Sequence, residues 1–100
     1  MAVHGMWPMK RTSLYSEQHA VLVNYLRELR VVRDLKQAEV AEAIGRPQTY
    51  ISDIEKGKRG LDLLQVMEIC TACKVSFPEF AVELDRRLKA LKPKASRKKV

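Results

Sequence analysis

The residues with chemistry to offer gather in one stretch, QAEVAEAIGRPQTYISDIE, positions 37–55. Ile51 and Ile54, three apart, mark one helical face as buried. At about 100° per residue, Thr49, Asp53 and Lys56 then point the opposite way, with Gln48 and Ser52 on one flank and Tyr50 on the other. The exposed set offers an amide, hydroxyls, a carboxylate and an ammonium, the groups that pair with base edges and phosphates. Catalytic arrangements are absent: there is no Ser-His-Asp set, no opposed carboxylates and no phosphate loop, and His4 and His19 both lie near the start. An enzyme is not expected. Cys70 and Cys73 form a Cys-x-x-Cys pair, but zinc would need two further ligands and only His4 and His19 are there to supply them. Structural cysteines are expected, with redox sensing as the alternative, and no metal or cofactor.

Positioning those side chains is the task of helices, because apolar residues recur at helical spacing and no stretch reads as a pair of strands. The first helix starts at Ser16 as N-cap with Glu17 in its first turn, carries the stripe Leu22, Tyr25, Leu26, Leu29 and Val32, and ends near Asp34. A second runs over 37–44 and buries Val40, Ala41 and Ile44 before Gly45, a residue free to take positive φ. Pro47 suits a helix start, and the third helix covers 48–56. Ala41 is small where the two short helices cross, and Val40, Ile44, Ile51 and Ile54 fill the angle between them, which is the helix-turn-helix pattern. Gly57 and Gly60 bracket a basic loop. Asp62 and Gln65 form a capping box for a fourth helix whose Leu63, Leu64, Val66, Met67, Ile69 and Cys70 imply burial on several sides. Ser76 and Glu79 form a clearer capping box, with Pro78 in the first turn, for a fifth helix lined by Phe77, Phe80, Ala81, Leu84, Leu88 and Leu91. The expected fold is all-α, a compact five-helix domain.

With LRELR at 26–30, the motif itself, the loop IEKGKRGLD and the capped start SFPEF in order, residues 25–80 resemble the lambda-repressor-like family of the Cro or xenobiotic-response-element type. The resemblance implies that the third helix enters the major groove with its N-terminal residues against base edges. Base reading is therefore carried to Gln48, Thr49, Ser52 and Asp53: Gln48 suits adenine N6 and N7, Thr49 a thymine methyl, and Asp53 cytosine N4. Phosphate contacts are carried to Gln37 at the start of the second helix, with Lys36, Arg46, Tyr50, Lys58 and Arg59 around it. Arg30 and Glu55 match a pair that bridges the first and third helices, so they are expected to be structural. Asp34 and Lys74 stand where the family often has Gly, and Lys36 where it has a capping Ser or Thr.

A chain of 100 residues has room for one core. Lys and Arg outnumber Asp and Glu by 19 to 12, a net +7 that favours an anionic partner, but five of those seven charges fall in residues 92–100. The expected organisation is an N-terminal tail at 1–15, a domain at 16–92 and a basic tail at 93–100. The longest apolar run, residues 20–23, spans no membrane, and no secretory signal is visible, so the cytoplasm is the expected compartment. Leu84, Leu88 and Leu91 continue past the usual family core, either as a dimer seam or as a bed for the N-terminal tail. The expected function is a sequence-specific DNA-binding regulator of bacterial or phage origin, a homodimeric repressor without an effector domain. The alternative is an antitoxin that sequesters a toxin partner and autoregulates its operon.

Overall fold

The computed structural model describes residues 16–91, which form five helices: α1 Glu17–Val32, α2 Gln37–Ala43, α3 Gln48–Glu55, α4 Leu63–Ala72 and α5 Phe77–Lys89. The expectations for 1–15 and 93–100, among them any role for His4 or the basic tail, lie outside the described residues. Ser16 caps α1, its Oγ accepting from the His19 N–H at 3.0 Å. The Asp62 and Gln65 side chains cap α4 reciprocally, at 2.8 and 2.9 Å. At α5 the Ser76 Oγ accepts from the Glu79 N–H at 3.3 Å and Pro78 occupies the first turn, so the expected capping box is made in one direction rather than reciprocally.

The first four helices end in the same way. A residue with positive φ (Asp34 at 59°, Gly45 at 72°, Gly57 at 75°, Lys74 at 61°) turns the chain. The next N–H then reaches back to the last turn: Leu35 to the Arg30 carbonyl, Arg46 to Ala41, Lys58 to Asp53 and Val75 to Cys70. This closure satisfies carbonyls that a helix end leaves open. Asp34 and Lys74 thus adopt the turn conformation that their place in the family pattern demands.

One core joins all five helices: Val23, Tyr25 and Leu26 from α1, Val40 and Ala41 from α2, Tyr50, Ile51 and Ile54 from α3, Val66, Ile69 and Cys70 from α4, Cys73 at its cap, and Phe80 from α5. Tyr25 stacks on Phe80 with ring centroids 5.1 Å apart and planes 7° from parallel. Two expectations are corrected. On α1, Val23 is buried although the expected stripe leaves it out, and Val32, expected in that stripe, is 71% exposed on the last turn. On α4 burial is one-sided: Val66, Ile69 and Cys70 face the core, while Leu63, Leu64 and Met67 are exposed. Among the described residues this ten-residue helix, at the edge of a small domain, has neighbours on one face only.

Candidate nucleic-acid interface

Helix α3 lies against α2 and α1, anchored by the fully buried Ile51 and Ile54. The opposite side carries the residues expected to read bases: Gln48 and Thr49 are exposed, Ser52 and Asp53 half-buried. Lys36, Arg46, Lys58 and Arg59 are exposed around this helix, and Gln37 is half-buried at the start of α2. Tyr50 corrects its assignment to an exposed flank. It is only 4% exposed, and its hydroxyl is buried without a hydrogen-bond partner among the described residues. The guanidinium carbons of Arg46 and Arg59 sit 4.5 and 4.6 Å from its ring centroid. Tyr50 therefore serves as a platform for two cations, from the α2–α3 turn and the loop after α3, rather than as a surface hydroxyl. Neither arginine has a carboxylate within ion-pair distance among the described residues.

Behind the exposed face of α3 runs a chain of side-chain hydrogen bonds. Arg30 Nε and Nη2 donate to Glu55 Oε2 and Oε1 at 2.6 and 2.9 Å, a fork that ties α1 to the end of α3. The third guanidinium nitrogen, Nη1, donates to the Leu35 carbonyl at 2.7 Å and so holds the α1–α2 link. Both side chains are largely sequestered, 12% and 7% exposed, and the bond to Glu55 raises the pKa of Arg30 further above its ordinary value. Gln37 Nε2 donates to Glu55 Oε1 at 2.9 Å, and Gln48 Nε2 donates to Gln37 Oε1 at 3.2 Å. The foremost base-reading candidate is thus oriented, through one amide, by the structural ion pair.

The spacing of the sequence places Arg30, Glu55, Gln37 and Gln48 near the motif but does not reveal that they form one chain. Eleven residues separate the glutamines, and no periodic signal links such a pair. Arg27, 3.8 Å from Glu55, also escaped the sequence reading. Lys36 has no acceptor in its side chain, so the cap of α2 is half made: the Glu39 carboxylate takes the Lys36 N–H at 2.7 Å. Cys70 and Cys73 are free, and both are buried in the core. Burial, and then the proximity of Cys73, pushes the Cys70 thiol up to about 11, and burial also raises Cys73. Both side chains fill space in the core, where burial disfavours the thiolate. No group of three metal-ligating side chains occurs among the described residues.

Two short helices at a glycine turn, the second presenting an unobstructed polar face beside exposed cations, define a helix-turn-helix domain of the class found in DNA-binding regulators. The helix-turn-helix family profile matches residues 26–80, and the chain belongs to that family, in its lambda-repressor-like, xenobiotic-response-element form. Its fold is similar to that of the restriction-modification controller protein C.Esp1396I, with a TM-score of 0.69 and 23% identity over 73% of this chain and 96% of the other. A family-like protein from Pseudomonas syringae pv. tomato str. DC3000 gives 0.69 and 24% over 79% and 96%. The controller's tetramer in complex with its natural 35-base-pair operator gives 0.67 and 24% over 71% and 93%. No curated protein sequence gives a significant match.

Proposed function

We propose that this protein is a transcription regulator that binds operator DNA as a homodimer and represses by occupancy, without catalysis. The observation that carries this reading is the Arg30–Glu55–Gln37–Gln48 chain, because it presents an exposed amide at the start of α3 in a fixed place. A pre-oriented amide is what bidentate pairing with adenine requires. In this reading Gln48 and Thr49 contact base edges first, and Ser52 and Asp53 lie deeper along the same face. Asp53, repelled by phosphate, selects rather than attracts. Gln37, Lys36, Arg46, Lys58 and Arg59 hold the backbone, and Tyr50 acts through the two arginines it carries. The similarity to a controller whose tetramer was solved on its operator supports an assembly with two-fold half-sites, about one helical turn apart. Among the described residues no helix is long and apolar enough to cross a membrane. That accords with work on DNA in the cytoplasm.

The test is selection of bound duplexes from a random library, followed by salt titration of the winner against a scrambled duplex. An enriched inverted repeat, lost with Gln48→Ala or Thr49→Ala, is the expected result. If nothing enriches and affinity follows salt alone, sequence reading is excluded and a protein partner, such as a toxin, becomes the better account.

A further inference from the structure

Three side chains converge on the Glu55 carboxylate, and one of them is a cation in excess. Arg30 forks onto both oxygens at 2.6 and 2.9 Å, and Gln37 donates to Oε1 at 2.9 Å. Arg27 Nε stops 3.8 Å from the same Oε1, beyond hydrogen-bond distance, with its side chain 59% exposed. Arg30 already neutralises the single charge of Glu55, so a second guanidinium three residues away on α1 meets a like charge, an arrangement that costs the helix stability. No other carboxylate takes Arg27 up. The positions three and four residues from it along α1 are Val23, Asn24, Arg30 and Val31, and its neighbour Glu28 is forked by Arg87 at 3.0 and 2.8 Å. Among the described residues its side chain makes no hydrogen bond at all.

We infer that Arg27 binds a phosphate of the DNA backbone, from α1 rather than from the helix-turn-helix itself. The inference rests on the DNA-binding reading above and adds to it a residue outside the motif. Arg27 and Gln37 reach one carboxylate oxygen, so the guanidinium adjoins the side chain through which α2 meets the backbone in that reading. The contacts run in the order Arg27, Glu55, Gln37, Gln48. A duplex that sets a base edge against Gln48 and its backbone against Gln37 therefore carries further phosphate toward Arg27. Glu55 attracts the guanidinium across 3.8 Å and so keeps it at the rim of the interface without consuming its donors. The planar fork is left free for phosphate oxygens, which it fits bidentately. The like charge of Arg30, a cost in the free protein, becomes a second attraction once an anion arrives. An acidic protein surface would also draw Arg27, but its nearness to Gln37 and Gln48 favours the phosphodiester.

The experiment is a binding titration of the full chain on the selected duplex and on a scrambled duplex of the same length, from about 50 to 200 mM salt, with Tm measured on each protein. The proteins are the wild type, Arg27→Gln, Arg27→Lys and Lys89→Gln. Arg27→Gln is expected to keep the wild-type Tm or raise it slightly, since it removes a like-charge pair. At the lowest salt it should bind both duplexes about fivefold more weakly, and the fall of log affinity with log salt should flatten by about 0.9 per protomer bound. Arg27→Lys restores the slope because it restores the charge. Lys89 is 77% exposed on α5, which packs on α1 and α4, so Lys89→Gln removes the same charge and should leave the slope unchanged. A wild-type slope in Arg27→Gln overturns the contact. Equal flattening by Lys89→Gln overturns it too, by reducing the effect to net charge. A fall in Tm with the slope unaltered overturns it in favour of a structural partner for Glu55. Gln48→Ala, expected to lose the preference for the selected duplex and keep the salt slope, separates failure of base reading from failure of this contact. Should no duplex be selected, the scrambled one still reports on Arg27.

Discussion

Glu55 is the residue at which the stability of the fold meets the proposed recognition. Its carboxylate receives two bonds from Arg30 and one from Gln37 while 7% exposed, so removing it strands a guanidinium and frees the amide that orients Gln48. Glu55→Ala is expected to cost about 3 kcal/mol of stability, the usual consequence of leaving one member of a sequestered pair alone, and to lose operator affinity with it. Thermal melting and a binding titration on the same sample check both; an unchanged Tm would refute the structural role. Tyr50 separates ring from hydroxyl. Since its hydroxyl makes no bond among the described residues, Tyr50→Phe should leave Tm equal or slightly raised and keep Arg46 and Arg59 in place. Tyr50→Ala should lose about 3 kcal/mol of packing and weaken DNA binding at low salt. A Phe variant that binds DNA as poorly as the Ala variant would show that the hydroxyl, not the platform, matters.

At the scale of the element, the helix ends carry avoidable strain. Asp34 and Lys74 hold φ near 60°, where a Cβ meets the following carbonyl. Asp tolerates this conformation better than Lys, because its short polar side chain bonds locally. Lys74→Gly is therefore expected to stabilise by about 0.5–1 kcal/mol, or roughly 4 °C in Tm, and Asp34→Gly by less. The order matters more than the size: a larger gain at Asp34 would contradict the steric account. Both positions were recognisable beforehand, since they stand where a turn-forming glycine is the family habit. The state of α4 was not. Its six apolar positions describe a helix fit for burial all round, and among the described residues no neighbour covers its outer side, so Leu63, Leu64 and Met67 are exposed.

Across the whole molecule, α1 and α5 are joined by an ion cluster outside the motif. Arg87 lies over the Tyr25 ring at 4.2 Å, forks onto Glu28 at 3.0 and 2.8 Å, and donates to Glu83 at 2.7 Å. Hydrogen bonds from Arg86 and then Arg87 hold the Glu83 carboxyl down to about 2, and the bond from Arg87 lowers Glu28. Folded-state values below the ordinary carboxylate range mean that these groups stabilise the fold above about pH 4.5 and lose that contribution as pH falls toward 2. Replacing Arg87 by Gln should flatten the fall of Tm over this acid window, and added salt should do so in part, because the cluster is only partly shielded from solvent. Equal acid slopes in the two proteins would show the cluster to be inert.

The sequence by itself determined five helices, their caps, the turn glycine and the candidate reading face, because periodicity, capping boxes and positive-φ positions are local properties of the chain. It also determined that Arg30 and Glu55 belong together, through a family pattern rather than through geometry. What only the tertiary structure decided depends on neighbours distant in sequence. Tyr50 is drawn inward beneath Arg46 and Arg59, Gln37 links Gln48 to Glu55, Val23 is buried and Val32 is left in solvent. A helical wheel orders side chains around one axis, but which arc is covered is settled by where the other helices pack, and in a domain this small much of every helix remains outside.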